Sequence, residues 1–372
     1  MGLGRSVRDT DLSSGCHILL GGREVLSLGS NNYLGLAGHP DLRAAATRTI
    51  ERVGVGSGGS RLATGAYPEH AALERALANW KQTDDALLFD SGYAANTGVI
   101  PALVGPDDLV LSDSLNHASL IDGCRLSRAM VRVYPHRDVD AVRELISDRQ
   151  RFRRVLIVTD GVFSMDGDTA PLALLSDVCQ SYRAWLLVDD AHGNGLLGEE
   201  GRGLADVMGL AHRVQVHVGT LSKALGASGG FVAGSAVLCR HLRQRARSFV
   251  YSTAMPPAIA AAGMEGVRLA RQGDDLRERL HQNADRMRSI LRRHGFDVPG
   301  GLAGIIPVTV GDESEAVALS DRLLDHGVLA PAMRFPTVPR GQARLRMTAS
   351  AALTEEDLRR LDNALEAARK GA

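Results

Sequence analysis

Two stretches carry residues whose types and spacing suggest chemistry. WLLVDDAHGNG (185–195) places Asp189 and His192 directly after an apolar run, and VQVHVGTLSKALG (214–226) places Lys223 after another. In open α/β sheets ligands gather outside the carboxyl ends of the strands, so polar residues just past such runs face the crevice. The chain has 43 lysines and arginines together, yet only Lys81, Lys223 and Lys370 are lysine. An arginine stays protonated and forms no imine, so a lysine here points to a reacting amine. A lysine and an aspartate facing one crevice suit pyridoxal phosphate. Its aldehyde needs an amine, and its ring nitrogen needs a carboxylate to stay protonated. Lys223 lies among Ser222, Ala224 and Gly226, whereas Lys81 and Lys370 are expected to be solvated surface lysines.

The same cofactor needs a phosphate cradle. In FDSGYAANTG (89–98), Ser91 and Gly92 are predicted to open a helix whose free N–H groups bind an anion, with Tyr93 beside them. Thr220 adds a hydroxyl close to Lys223. His117, in DSLNHASLIDG, reads either as a structural residue or, beside the other pieces, as an imidazole stacked on the pyridine ring. Ser164, in DGVFSMDGD, is placed to hydrogen-bond the ring hydroxyl. VGVGSGGS (53–60) matches GxGxxG, but LRAAATRTIERV before it reads as helix, and a dinucleotide site requires a strand there. A glycine-rich active-site loop fits better.

The elements that position these residues are legible as alternating patterns. ALLF (86–89), LVLSD (109–113), VLIVTD (155–160), WLLVDD (185–190) and VQVHVGT (214–220) are unbroken apolar runs. Amphipathic stretches at 69–82, 138–150 and 172–183 separate them, which predicts a mostly parallel sheet covered on both faces. After about residue 256 the pattern changes to a long helix, a strand at 305–310, a helix at 314–326, strands at 328–332 and 343–348, and a closing helix. The expected organisation is an N-terminal segment (1–36), a large α/β domain (37–272) and a smaller C-terminal α+β domain (273–372). A formal net charge of zero offers no field for nucleic acid or an anionic membrane. No run reaches membrane-spanning length, and the N-terminus lacks the apolar core of a signal peptide. The four cysteines are scattered, with no metal-site or disulfide spacing, which predicts buried thiols in a reducing cytoplasm and no bound metal.

Taken in order, SNNYLGL (30–36), GSGGSRLATG (56–65), FDSGYAAN, DSLNHASLIDG, GVFSMDGD, VDDAHG, GTLSKALG, YSTAMPP (251–257) and RLRMT (344–348) cover nearly the whole chain. On them the chain resembles the α-oxoamine synthase family of fold-type-I pyridoxal-phosphate enzymes. Family members condense an amino acid with an acyl thioester and lose carbon dioxide. The resemblance implies that Lys223 forms the Schiff base and moves the α-proton, and that Asp189 pairs with the ring nitrogen. It gives His192 and Ser164 to the ring hydroxyl, and His117 to ring stacking and the acyl carbonyl. Gly92, Tyr93 and Thr220 go to the phosphate. Ser252 and Thr253 are implied to complete the phosphate site of a partner subunit, hence a homodimer with shared active sites. Asn31, Arg346 and Thr348 are implied to contact substrate, with Arg346 clamping the amino-acid carboxylate. Arg5 is matched to the distal carboxylate of the acyl chain. The expected substrates are L-alanine and a pimeloyl thioester, on coenzyme A or a carrier protein. The alternatives within the family are glycine with acetyl-CoA or succinyl-CoA, or a secondary-metabolite acyl group. Asp160 stands where the family more often has glutamate.

Overall fold

The computed structural model describes residues 7–370, so Arg5 and the side chain of Lys370 lie outside the described residues. The chain divides into two compact units. One is built from the N-terminal segment through Gly38, from Ser164–Asp168 and from Asp275 onward. The other holds His39–Phe163 and Thr169–Asp274.

The first unit begins with an antiparallel meander of β1 (Thr10–Ser14), β2 (His17–Leu20) and β3 (Arg23–Ser27). The second unit carries a seven-stranded sheet. In chain order its strands are β4 (Asp85–Phe89), β5 (Leu109–Asp113), β6 (Met130–Tyr134), β7 (Val155–Asp160), β8 (Trp185–Asp189), β9 (Val216–Thr220) and β10 (Gly230–Gly234). They lie in the order β4-β10-β9-β8-β7-β5-β6, and only β10 runs against its neighbours. Every residue of β5, β7 and β9 is buried, the condition that unbroken β-branched runs satisfy. Apolar strands alone did not disclose β10, a short glycine-flanked segment, nor β6, whose outer side is exposed.

Four helices of this unit bear on the chemistry: α1 (Pro40–Val53), α2 (Pro68–Lys81), α3 (Gly92–Leu103) and α4 (Ala118–Ser127). Because α1 immediately precedes Gly54, the GxGxxG match does not follow a strand. Ser91 caps α3 in extended backbone, its hydroxyl accepting the Ala94 N–H at 3.0 Å. Helices α3 and α4 pack with no room to spare. A Cβ on Gly123 would come within 2.7 Å of the Asn96 carbonyl oxygen, so α4 needs glycine there to lie this close.

The remainder of the first unit follows a long helix, Asp274–Arg293, that starts one residue before it. The strand β11 (Ile305–Gly311) pairs antiparallel with β14 (Ala343–Thr348). The stretch 328–332, expected as one strand, is two two-residue pieces in different sheets. Val328–Leu329 (β12) joins β3, and Ala332–Met333 (β13) joins β14. Helices Glu313–Asp325 and Glu355–Lys370 complete the unit.

Candidate active site

In the seven-stranded unit the polar residues gather at the carboxyl ends of β5, β7, β8 and β9, around the start of α3 and α4. Asp189 is the last residue of β8 and is 5% exposed. Its carboxylate accepts the Ala191 N–H at 3.0 Å and the Asn96 side-chain N–H at 2.6 Å. Asp160, the last residue of β7, stands opposite Asp189 in register. It accepts the His117 backbone N–H at 2.6 Å. Burial and the neighbouring Asp189 charge push the Asp160 carboxyl well above the ordinary range.

Asn116 fastens the loop that carries His117. Its side chain donates to Val158 O at 2.9 Å and to Ser112 Oγ at 3.0 Å, and accepts the Asp160 N–H at 2.9 Å. The His117 ring then caps α4, with Nδ1 2.7 Å from Ser119 Oγ. Burial and the Lys223 charge lower its pKa, against the pull of Asp189, so the imidazole is neutral near pH 7. Tyr93 meets it edge to face at 6.5 Å and hydrogen-bonds Asp122.

His192 is buried in the turn after β8, and Lys223 is half-buried after β9. Thr220 already uses its hydroxyl locally, donating to Gly229 O at 2.8 Å and lying 2.7 Å from Ser222 Oγ. Gly92 is the first residue of α3, whose opening N–H groups have no acceptor within the helix. Ser252 hydrogen-bonds Asp90, while Thr253 and Tyr251 are exposed. An amine, a buried carboxylate, a neutral imidazole and the N-terminal end of a helix thus occur together on one sheet, a donor set that fits pyridoxal phosphate.

The other unit collects a second group. Arg346 on β14 is 4% exposed. It donates to Asn31 Oδ1 at 3.1 Å, to Thr348 Oγ1 at 3.3 Å and to the Ser164 carbonyl. These partners are neutral, and among the described residues no carboxylate pairs with it. A buried guanidinium without a counter-ion is a receptor for one. Tyr33 closes this group, its hydroxyl 3.4 Å from Asn31 Oδ1.

Lys81 corrects the sequence reading. It is not a solvated surface lysine but 5% exposed. Its ammonium donates to Asn194 Oδ1 at 2.8 Å and to the Arg202 carbonyl, beside Asp190. Asn96, Ser119 and Asn116 were within the quoted motifs but had no assigned role. Their signal was weak, since neutral polar residues at helix starts serve mostly as caps. The large hollow of this unit, about 780 Å³, is at the opposite end of the sheet, by Trp185, Val216 and Gly234. The chemical groups above do not line it.

A model of aminotransferase class I and II proteins matches residues 23–365. The chain is 50% identical over 361 residues to the 8-amino-7-oxononanoate synthase of Geobacter sulfurreducens, covering 96% of this chain and 92% of that one. It is 45% identical over 358 residues to the enzyme of the same name from Coprothermobacter proteolyticus, with 96% and 91% covered. Among solved structures it is similar to serine palmitoyltransferase from Sphingomonas wittichii, with 33% identity, a TM-score of 0.93 and 98% and 92% covered. It is also similar to 8-amino-7-oxononanoate synthase from Francisella tularensis, with 27% identity, a TM-score of 0.80 and 93% and 97% covered. The fold expected from the motifs is the fold found.

Proposed function

The chain belongs to the aminotransferase class I and II family, and on that premise we propose that it is a pyridoxal-phosphate-dependent 8-amino-7-oxononanoate synthase. It condenses L-alanine with a pimeloyl thioester, releasing carbon dioxide and the thiol. The observation that carries this reading is near-half identity, over almost the full length, to curated enzymes of that name. The same relatives support a place in biotin biosynthesis.

Bound pyridoxal phosphate supplies an aldehyde that exchanges amines and a protonated ring that takes up the electron pair left at the α-carbon. Lys223 would hold the cofactor through its amine and, once free, would take the substrate α-proton on Nζ. Asp189 keeps a proton on the ring nitrogen, its carboxylate aimed by Asn96 and the Ala191 N–H. His192 and Ser164 serve the ring hydroxyl. Gly92, Tyr93 and Thr220 serve the phosphate. Arg346, with Asn31 and Thr348, binds the amino-acid carboxylate. His117 remains neutral and donates a hydrogen bond to the acyl carbonyl oxygen, where charge develops as the α-carbon attacks.

Exposure of Tyr251 and Thr253 supports the reading that YSTAMPP reaches a partner subunit in a homodimer. Four buried free cysteines agree with a cytoplasmic setting. Among the described residues no helix is long and apolar enough to cross a membrane.

The test is thiol release from pimeloyl-CoA by the purified protein with pyridoxal phosphate, alanine and glycine run in parallel. Release with alanine and little with glycine is expected, and Lys223→Ala should abolish it. Release with glycine and acetyl-CoA or succinyl-CoA instead would move the chain to another α-oxoamine synthase.

A further inference from the structure

We propose that Asn96 and Ser119 form a hydrogen-bond relay that fixes His117 in the tautomer with its proton on Nε2 and ties that choice to the ionised carboxylate of Asp189. The catalytic consequence rests on the function proposed above; the tautomer does not.

The relay starts at Asp189. An ionised carboxylate only accepts hydrogen bonds, so the Asn96 amide must turn its NH₂ toward Asp189 Oδ2, 2.6 Å away. The second N–H of that group points to Ser119 Oγ at 2.9 Å. Both donors of Asn96 are then used, and its Oδ1, though buried, has no hydrogen-bond partner. A buried amide that leaves its acceptor unmet in order to place both donors has one orientation. Asn96 is fully buried and Ser119 is 1% exposed, so water does not compete for these bonds.

Ser119 has one proton to give. An amide NH₂ cannot accept it, and His117 Nδ1 lies 2.7 Å from Oγ. The Ser119 backbone N–H, 3.2 Å from the same Nδ1, is a second donor to it. A ring nitrogen facing two donors carries no proton of its own, so the neutral imidazole bears its proton on Nε2. Burial keeps the ring neutral, which makes the tautomer a real choice.

The chemical meaning follows. An Nε2–H donates to an acyl carbonyl oxygen as negative charge grows on it, whereas the opposite tautomer would meet that oxygen with a lone pair. Asn96 and Ser119 touch neither substrate in this account. They are positioning residues that act through His117, and the acid that serves the ring nitrogen also sets the direction of the bond to the acyl group. If Asp189 is neutral the amide can turn over, and Ser119 can then give its proton to Asn96 Oδ1.

The experiment is ¹⁵N–¹H correlation spectroscopy of holoenzyme labelled at its histidines, with His117→Gln to assign the His117 signals. Wild type should show a protonated Nε2 and an unprotonated Nδ1. Ser119→Ala should yield a mixture of tautomers, with kcat down about tenfold and the KM for the amino acid within about twofold. Ser119→Thr keeps the hydroxyl and should restore both tautomer and rate. Asp189→Asn, at saturating cofactor, should also mix the tautomers. A proton on Nδ1 in wild type, or an unchanged tautomer in both Ser119→Ala and Asp189→Asn, overturns the relay. A correct tautomer in an enzyme that releases no thiol with alanine leaves the relay standing and removes the proposed reaction.

Discussion

At the residue scale, Lys81 shows how a buried charge is tolerated. Its ammonium and the fully buried Asp190 are electrostatic partners. Burial lowers the lysine pKa and raises the aspartate to about 6. Removing one member leaves the other charged and unmatched, which typically costs about 3–5 kcal/mol. Lys81→Met should therefore lower stability by that order in urea denaturation, and Lys81→Met with Asp190→Asn should recover much of the loss. Additive losses in the double variant would show that the two charges do not interact. This residue also marks what one sequence conceals. Lys223 was legible because a strand pattern ended just before it. Lys81 ends a helix pattern, and the side chain it meets is 113 residues away, so its pattern read as surface.

At the element scale, the contact of α3 with α4 sets the geometry around His117. Gly123 allows α4 to approach the Asn96 carbonyl, and that approach puts Ser119 within reach of the Asn96 side chain. Gly123→Ala adds a methyl where backbone cannot yield, so it should destabilise by about 1–3 kcal/mol despite the gain in helix propensity. The checks are the thermal midpoint and the His117 tautomer together. A raised midpoint with an unchanged tautomer would show that the helices can separate without consequence. Strands such as VLIVTD and WLLVD were legible because burial on both faces demands unbroken apolar runs. The antiparallel β10 was not, since GFVAG offers only three apolar side chains between two glycines, and those glycines answer to neighbours. A Cβ on Gly230 would lie 2.4 Å from the Ser91 carbonyl oxygen. The C-terminal part of the first unit was legible as a succession of elements, but the meander β1–β3 was not, nor how 328–332 divides between two sheets.

At the scale of the whole molecule, pH acts through buried groups. His217 on β9 is held near pKa 3, chiefly by burial and then by the Lys81 charge. An unfolded chain takes up that proton near pH 6.5, before the folded one does. Stability from this residue is therefore complete above about pH 6.5 and declines toward pH 3, by roughly 1.4 kcal/mol per pH unit. Asp190 acts in the opposite sense. Its folded pKa near 6 favours the folded state as pH falls through the range from 6 to 3.8. His217→Gln removes the first contribution alone, so its thermal midpoint should fall less than that of wild type between pH 7 and pH 5. Equal falls would mean that His217 is protonated in the fold. Assembly belongs to this scale too. Light scattering should give a particle of two chains, and a particle of one chain would leave YSTAMPP without the partner it is proposed to reach.

The burial of Lys81 has an analytical consequence as well. A protease that cuts only after lysine divides this chain at residues 81, 223 and 370. Treating the loaded enzyme with borohydride would attach the cofactor to Lys223 by a bond the protease cannot read. The 82–223 and 224–370 fragments would then vanish, and a single fused 82–370 fragment, heavier by one reduced cofactor, would replace them. Native amine labelling would leave Lys81 unmodified because solvent does not reach it. The scarcity of lysine thus gives the protein an internal mass tag for occupancy, one that reads cofactor loading chain by chain without any assay of turnover.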